Sequence, residues 1–303
     1  MLLMSLRGLV RLARPHHWTK NLLVFAGLLF TGSFQNPEAW RASVSAFAAM
    51  CLISSAFYAW NDVRDAERDL AHPRKRNRPI PSGEVSPGLA VAFASALLVV
   101  GALLAVQLRP AAFGLIALYA GIQLAYNAGL KAVPVLDACA VGSGFVLRAA
   151  VGAAAMGVAV SGWLLLCTGA LALLVSFGKR RAEFHALGEQ RSDVRPSLSA
   201  YTKESLDGLV TLAASASVLC YGLYAIESHT ARNHPSLFLT APLVAYGVMR
   251  YLLLVFQGAE GIGEPDLLLI RDRHLVATVA LFCMLAALAM MDVVPSLGIE
   301  RLQ

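Results

Sequence analysis

The sequence predicts an all-α protein that is built into a membrane. Hydrophobic residues make up 57% of its 303 residues, charged residues make up only 15%, and the mean hydropathy is +0.63. Soluble domains carry about 25% charged residues, and the apolar residues here come in runs long enough to cross a bilayer. These observations exclude a large water-soluble core. We expect one integral membrane domain over residues 1–303.

The apolar runs predict about nine transmembrane helices. A spanning helix needs roughly 20 predominantly apolar residues, and runs of about this length lie at 21–36, 41–60, 87–108, 111–129, 133–155, 160–178, 205–226, 236–256 and 274–297. Glycine and proline are tolerated in membrane helices when neighbouring groups satisfy the freed backbone. Some of these runs are therefore expected to be tilted or broken.

The distribution of positive charge supports this count. If the N-terminus is cytoplasmic, most of the 25 lysines and arginines lie in cytoplasmic segments. The opposite side holds only Arg41, Arg109, Arg232 and Arg301, and Arg148 lies within a helix. Because lysine and arginine concentrate on the cytoplasmic side of membrane proteins, the pattern predicts a cytoplasmic N-terminus and a C-terminus outside.

The net charge of +6 must be interpreted with this topology in mind. In a soluble protein such a surplus would indicate nucleic-acid binding. Here the positions of the charges follow the membrane, so we expect no nucleic-acid partner. The five cysteines stand singly inside apolar runs without metal-ligand or redox spacing, which indicates packing residues.

A polar stretch directly after the second run, residues 61–69, carries the strongest chemical signal. Asp62, Asp65 and Asp69 are three and four residues apart, so a helix would place them on one face. Like charges stacked in this way repel each other, and Mg²⁺ relieves the repulsion because it binds one or two carboxylates together with water and phosphate oxygens. Four cations come next in the sequence, and they could bind the remaining negative charge of the phosphates. They are Arg74, Lys75, Arg76 and Arg78. The pattern predicts a Mg²⁺-diphosphate site at the membrane surface, and the alternative is an ordinary charged loop.

Two further groups lie on the predicted cytoplasmic side. Lys20 and Asn21 open the first run and could face a substrate phosphate, or they could simply reach the interface. Lys179, Arg180 and Glu183 follow the sixth run. A basic cluster at the end of a helix is often only a topology signal, but opposite the acidic residues it is better interpreted as a phosphate clamp.

Ionisable residues also occur close to or within the fifth run. Tyr126, Lys131 and Asp137 bracket a short turn, and Arg148 lies eleven residues after Asp137, on the same helix face. Charged groups inside a membrane are costly and are by default candidates for function. Arg148 could reach a phosphate in a hydrated cavity, and the alternative is a structural ion pair.

Four segments together resemble the UbiA superfamily of intramembrane prenyltransferases, and within it the phosphoribosyltransferase branch. They are Arg14-Pro15 through Lys20-Asn21; the stretch from Asn61-Asp62-x-x-Asp65-x-x-x-Asp69 to Arg78-Pro79-Ile80; Gly144-Phe145-Val146-Leu147-Arg148-Ala149; and Gly178-Lys179-Arg180-x-x-Glu183 followed by Ser199-x-Tyr201-Thr202. The resemblance covers essentially the whole chain. It implies a helical bundle with a cytoplasm-facing polar cavity, Mg²⁺ as cofactor and a bacterial plasma-membrane location.

The resemblance also implies a reaction, which is transfer of 5-phosphoribose from phosphoribosyl diphosphate to a polyprenyl phosphate. Most aromatic prenyltransferases of the superfamily have a second aspartate-rich motif after the sixth helix. Here that loop carries Lys179, Arg180 and Glu183 instead. The substitution favours a donor whose 5-phosphate needs cations over a prenyl diphosphate donor.

The residue roles implied by the resemblance divide into metal binding, catalysis and substrate contact. Asn61, Asp62 and Asp65 would hold Mg²⁺, and Asp69 would touch the ribose, so the three aspartates are the expected catalytic residues. The expected substrate contacts form a larger set: Lys20, Asn21, Lys75, Arg76, Arg78, Tyr126, Lys131, Asp137, Arg148, Lys179, Arg180 and Glu183.

Two other functions stay open from the sequence. A prenyltransferase of the same superfamily would use the aspartates to hold a prenyl diphosphate, with an aromatic or other acceptor. A transporter of a phosphorylated solute would show polar residues at both membrane faces and interrupted helices, whereas here they crowd one face. Because subunit contacts in a membrane are not readable from one apolar sequence, a homo-oligomer also stays open.

Overall fold

A computed structural model describes residues 2–70, 75–187, 196–258, 268 and 271–294. The α-helices are α1 Leu2–Ala13, α2 Ala26–Phe30, α3 Pro37–Arg64, α4 Ala66–Leu70, α5 Pro87–Val106, α6 Pro110–Ala128, α7 Leu136–Met156, α8 Gly162–Leu187, α9 Lys203–Glu227, α10 His229–Asn233, α11 Ala241–Gln257 and α12 Arg273–Met290. The 3₁₀ helices are Pro15–Phe25, Ser33–Gln35, Lys75–Asn77, Leu130–Ala132, Pro196–Ala200 and Pro235–Thr240. Within this described part there is no strand.

Eight helical segments of the described chain are long and apolar enough to cross a membrane. They are α3, α5, α6, α7, α8, α9, the segment Pro235–Gln257 that ends with α11, and α12. Each corresponds to one of the predicted runs, so the all-α, multi-pass membrane architecture is confirmed. The predicted count of nine is not confirmed, because the first run is built differently.

The first predicted run, 21–36, crosses the bundle as a 3₁₀ helix followed by the short helix α2. Arg14, directly before the 3₁₀ helix, contacts Asp62 in the last turn of α3, Asn21 contacts Cys51 halfway along α3, and Gly32 lies beside Met290 at the end of α12. A 3₁₀ helix rises about 2.0 Å per residue and an α-helix about 1.5 Å, so residues 15–30 extend over roughly 30 Å. The segment is therefore long enough to traverse the bundle although it is not a regular helix.

Several helices begin at a polar side chain that caps the exposed amide groups. Asn36 caps α3 and Ser86 caps α5, each followed by a proline, whose missing N–H is not needed at the first helical position. Thr202 forms a capping box at the start of α9, and the Asp272 carboxylate accepts a hydrogen bond from the Leu275 amide at the start of α12. These caps fix where the long apolar helices start.

Helix α7 is the most enclosed of the spanning helices in the described part of the chain. It packs against the 3₁₀ helix Pro15–Phe25, α3, α6 and α8, and nine of its thirteen buried residues are alanine or glycine. Small residues let helix backbones approach closely inside a membrane. At Gly152 the carbonyl oxygen of Val24 lies where a Cβ would be. The small side chains of α7 therefore let the neighbouring segments pack closely against it.

The loops that carry the polar residues meet at one end of the bundle, called here the polar end. Arg64 at the end of α3 donates to the carbonyl oxygen of Asn127 at 2.8 Å. The amide of Val135, before α7, donates to the hydroxyl of Tyr201, before α9. Arg181 in α8 donates to the carbonyl oxygen of Val255 at 2.7 Å. Segments that are distant in sequence therefore meet at the end of the bundle that carries the acidic residues of the predicted diphosphate site.

Replacing Gly152 by alanine should destabilise the protein strongly. The added methyl group would overlap the Val24 carbonyl, and such overpacking costs about 1–3 kcal/mol or more. Gly121→Ala in α6 is the matched control, because nothing lies within 4 Å of its added Cβ. Thermal unfolding of the detergent-solubilised proteins would measure the difference, and equal midpoints for the two variants would contradict the packing described.

Candidate active site

Two buried carboxylates at the polar end point at the same cation. Asp62 lies in the last turn of α3 and Asp69 in α4, and their exposed fractions are 1% and 3%. Nη1 of Arg78 lies 3.1 Å from Oδ1 of Asp62 and 2.6 Å from Oδ2 of Asp69. Buried charges require partners, because the cost of removing an ion from water is several kcal/mol. The two aspartates and Arg78 therefore form one electrostatic unit.

Arg14 joins this unit and was not among the predicted site residues. Its Nη2 lies 2.5 Å from Oδ1 of Asp62, and its guanidinium lies over the ring of Tyr58. The backbone of Arg14 is left-handed, with φ 51° and ψ 60°, a conformation that costs a residue other than glycine about 1–2 kcal/mol. The Arg14-Pro15 motif was visible in the sequence, but a contact across 48 residues is not readable from local spacing.

Asp65 does not join Asp62 and Asp69 on Arg78. Helix α3 ends at Arg64, Asp65 has φ −91° and ψ 2°, and α4 begins at Ala66. The Asp65 carboxylate accepts a hydrogen bond from the side-chain amide of Asn61 at 3.0 Å. The expected continuous helix through the acidic residues is therefore wrong at Asp65. Arg78 thus joins Asp62 and Asp69, whereas Asp65 contacts Asn61.

The acidic residues can be tested for their fit to Mg²⁺. In the described residues no group of three or more His, Cys, Asp or Glu is arranged to hold a metal. However, Mg²⁺ is usually bound by only one or two carboxylates together with water and substrate phosphates. The contacts of Arg78 demonstrate that oxygens of Asp62 and Asp69 reach one cation. This pair therefore fits the metal, and the ligand set of Asn61, Asp62 and Asp65 stays a prediction.

The other predicted diphosphate contacts are less completely described. Arg76 is exposed at the polar end, in the 3₁₀ helix before Arg78. Arg74 and the side chain of Lys75 lie outside the described residues. Among these cations, Arg78 is the one for which the structure gives contacts to the acidic residues.

Arg148 and Asn21 form a buried polar contact deeper in the bundle. Nε of Arg148 donates to Oδ1 of Asn21 at 2.6 Å, and its other nitrogens donate to the carbonyl oxygen of Gly144 and the hydroxyl of Tyr119. The amide of Asn21 in turn donates to Sγ of Cys51 at 3.2 Å. Arg148 lies about 18 Å along α7 from its start, at 1.5 Å per residue. These partners are neutral, so the predicted pairing with an acid is not seen among the described residues.

A second charged cluster lies at the polar end, between α7 and α8. Nε of Arg180 lies 2.7 Å from Oδ2 of Asp137, and Nη1 lies 2.7 Å from Oε2 of Glu183. Ser197 donates to the same Asp137 oxygen at 3.1 Å. Asp137 and Ser197 are fully buried and Arg180 is 2% exposed. The structure thus brings together three predicted residues and adds Ser197, which sequence spacing did not reveal.

The remaining predicted contacts are half-buried side chains. They are Lys20, Tyr126, Lys131 and Lys179. Lys179 precedes Arg180 in α8, and Lys131 lies in the 3₁₀ helix Leu130–Ala132 that leads into α7. Lys131 and Lys179 therefore lie near the cluster of Asp137 and Arg180, whereas Lys20 lies within the 3₁₀ helix Pro15–Phe25, directly before Asn21.

Comparison with known proteins identifies the family to which this site belongs. The model of the UbiA prenyltransferase family matches residues 22–261, which is well over half of the chain. The chain belongs to the UbiA prenyltransferase family.

Curated relatives and a solved structure of the family extend this result. The chain is 36% identical over 280 residues to a protein of Mycolicibacterium smegmatis named decaprenyl-phosphate phosphoribosyltransferase, covering 88% of this chain and 87% of that one. A protein of the same name from Corynebacterium glutamicum is 34% identical over 292 residues, covering 94% and 87%. The structure of a UbiA homolog from Archaeoglobus fulgidus bound to GPP and Mg²⁺ superimposes with a TM-score of 0.72 at 17% identity, covering 94% and 99%. The UbiA fold predicted from the sequence motifs is confirmed.

Replacing Arg148 by lysine should destabilise the UbiA bundle although it keeps the charge. A lysine has one nitrogen and cannot reach Asn21, Gly144 and Tyr119 together. Leaving buried polar partners unsatisfied costs about 1–3 kcal/mol for each group. The change should lower the thermal midpoint of the purified protein.

Arg41→Lys is the control for this variant, because Arg41 is exposed in the first helical turns of α3, at the opposite end of the bundle. Unfolding midpoints that are the same for Arg148→Lys, Arg41→Lys and the unaltered protein would show that the contacts of Arg148 do not hold the bundle.

Proposed function

We propose that the protein transfers 5-phosphoribose from phosphoribosyl diphosphate to a polyprenyl phosphate of the decaprenyl type and releases diphosphate. The observation that carries this proposal is the similarity to proteins named decaprenyl-phosphate phosphoribosyltransferase, at 34–36% identity over 88–94% of the chain. The paired aspartates and arginines at the polar end support it, because they suit a donor that carries a diphosphate.

The proposed reaction requires neutralisation of charge and does not require a strong base. The bond between the anomeric carbon of the ribose and the diphosphate oxygen breaks, and the same carbon forms a bond to an oxygen of the lipid phosphate. Positive charge develops on the ribose ring and negative charge on the leaving diphosphate. The lipid phosphate is already an anion at neutral pH. Positioning and electrostatic stabilisation therefore supply the catalysis.

The acidic unit holds the leaving-group end of the donor in this proposal. Asp62 and Asp69 would bind Mg²⁺, which, when bound, neutralises the diphosphate and stabilises it as it leaves. Arg14 and Arg78 lie against the same carboxylates and supply charge-assisted hydrogen bonds to phosphate oxygens. Asp69 would also contact the ribose hydroxyls. The hydrogen-bonded pair of Asn61 and Asp65 lies next to Asp62 along the chain.

The basic residues of the other segments would hold the two remaining phosphates. Lys179, beside the cluster of Asp137 and Arg180, would bind the 5-phosphate of the donor. Lys20 and Lys131 are the candidates for the lipid phosphate, because they are half-buried cations outside the acidic unit. The polyprenyl chain would lie between helices that open to the bilayer. We place this end on the cytoplasmic side of a bacterial plasma membrane, as the positive residues indicate.

A second candidate function is transfer of a prenyl group from a prenyl diphosphate to another acceptor. The observation that favours it is the structural neighbour of Archaeoglobus fulgidus, which was solved with GPP and Mg²⁺. Both functions use a diphosphate leaving group, so the acidic unit alone does not separate them. The donor must be identified directly.

The purified protein should convert phosphoribosyl diphosphate and a polyprenyl phosphate into a phosphoribosylated lipid in the presence of Mg²⁺, and EDTA should abolish the product. Mass spectrometry of the lipid fraction would detect it. Asp62→Asn should lower the rate by about 100-fold or more, an effect comparable with the loss of one strong electrostatic contact to a transition state.

Asp292→Asn is the control for Asp62→Asn, because Asp292 is an exposed aspartate at the opposite end of the bundle. It should leave the rate unchanged. Full activity of Asp62→Asn would remove Asp62 from the mechanism. Product formed only from a prenyl diphosphate would replace the proposed function by the second candidate.

A further inference from the structure

The chain enters α7 through a strained turn. Val135 has φ 64° and ψ −50°, and the amide of Leu136 donates to the carbonyl oxygen of Pro134 at 2.7 Å. These values describe a three-residue γ-turn of the rare, strained form. A β-branched residue at positive φ is an outlier that persists only when its surroundings enforce it. Something at the polar end must therefore hold Val135 in place.

The hydroxyl of Tyr201 holds this turn. Its oxygen accepts a hydrogen bond from the amide N–H of Val135 at 2.5 Å, across 66 residues of sequence. The ring of Tyr201 is buried with Leu198 and Leu206. Burial raises the pKa of Tyr201, so the hydroxyl stays neutral at physiological pH. The amide of Val135 is thereby fixed to a side chain that is itself immobilised by packing.

Ser197 holds the same region at a second point. Its hydroxyl donates to Oδ2 of Asp137, which is also the oxygen that lies 2.7 Å from Nε of Arg180. Ser197 belongs to the 3₁₀ helix Pro196–Ala200, directly before Tyr201. One short segment therefore fixes the start of α7 at Val135 and at Asp137. Through Asp137 it also fixes Arg180 of α8.

The guanidinium of Arg180 is buried and paired with carboxylates of the protein. Its guanidinium is 2% exposed and lies against the carboxylates of Asp137 and Glu183. Such an enclosed guanidinium is out of reach of a phosphate, unlike that of Arg78, which is 28% exposed, and it is well placed to fix one turn of α8. Lys179 is the half-buried cation on that turn. Arg180 thus suits an orienting role and Lys179 a phosphate-binding role.

We propose that Ser197 and Tyr201 are positioning residues for the end of the donor that carries the 5-phosphate. They hold the start of α7, α7 orients Arg180 through Asp137, and this contact fixes the turn of α8 from which Lys179 binds the phosphate. The inference rests on the proposed function, since it requires a donor with a phosphate at each end. It separates the site into a diphosphate end at Asp62 and a 5-phosphate end at α8.

Binding of two ligands to the same variants tests this separation. In detergent with Mg²⁺, calorimetric titration would give the Kd of phosphoribosyl diphosphate and, separately, of inorganic diphosphate. For Tyr201→Phe and for Ser197→Ala, the Kd of phosphoribosyl diphosphate should rise about tenfold, the effect of one lost hydrogen bond. The Kd of diphosphate should stay within about twofold, because this ligand needs only the acidic unit. A general loss of structure would weaken both ligands.

Two further variants separate positioning from stability. Ser197→Thr keeps the hydroxyl but adds a methyl group at a fully buried position, so it should bind phosphoribosyl diphosphate more tightly than Ser197→Ala does. Tyr221→Phe removes a buried hydroxyl contact, with Thr240 at 2.6 Å, at the opposite end of the bundle, and should leave both Kd values unchanged although it also lowers stability. In the enzymatic assay, Tyr201→Phe should raise the KM for phosphoribosyl diphosphate while kcat stays within about twofold, since ground-state and transition-state binding weaken together.

The outcomes distinguish this inference from the proposed function. Unchanged binding of phosphoribosyl diphosphate by Tyr201→Phe and Ser197→Ala would overturn the inference alone. An equal loss of diphosphate binding would also overturn it, because the effect would then not be confined to one end of the donor. If the unaltered protein binds a prenyl diphosphate but not phosphoribosyl diphosphate, the proposed function fails and the inference fails with it.

Discussion

A charge that is buried in a membrane protein needs an opposite charge or hydrogen-bonding groups within the protein, and the polar end of this structure uses opposite charges. Asp62 and Asp69 share Arg78, and Arg180 lies between Asp137 and Glu183. Each of these contacts except the one to Glu183 connects different helices or loops. The same contacts that satisfy buried charge thus hold the ends of the bundle together and assemble the residues that suit a phosphorylated substrate.

The positions of the long helices and of the acidic stretch were predictable because they depend on local properties. Hydropathy identifies a spanning run within about 20 residues, and eight of the predicted runs correspond to spanning helices. The contacts that complete the site depend on tertiary structure. Arg14 reaches Asp62 across 48 residues and Arg148 reaches Asn21 across 127. The break at Asp65 was also missed, because helical spacing alone does not show where a helix ends.

Two structural units at the polar end have different characters. The unit of Asp62 and Asp69 presents acidic groups with arginines beside them, which suits a metal-bound diphosphate. The unit of Asp137 and Arg180 has its charges matched internally and includes two hydroxyl contacts from the segment before α9. The first unit is arranged to interact with a ligand and the second to hold the backbone. A transferase that must orient a donor of two charged ends needs both properties.

The 3₁₀ geometry of the first crossing sets a strict rule for its sequence. With three residues per turn, every third side chain points the same way. Trp18 and Asn21 accordingly contact Ser55 and Arg148, and the side chain of Val24 is buried in the cluster that includes Val151 of α7. An α-helix would rotate these side chains away from a common line. An insertion of one residue would turn the inner face by a third of a circle, whereas an insertion of three would preserve it. Length variation in this segment should therefore occur in multiples of three.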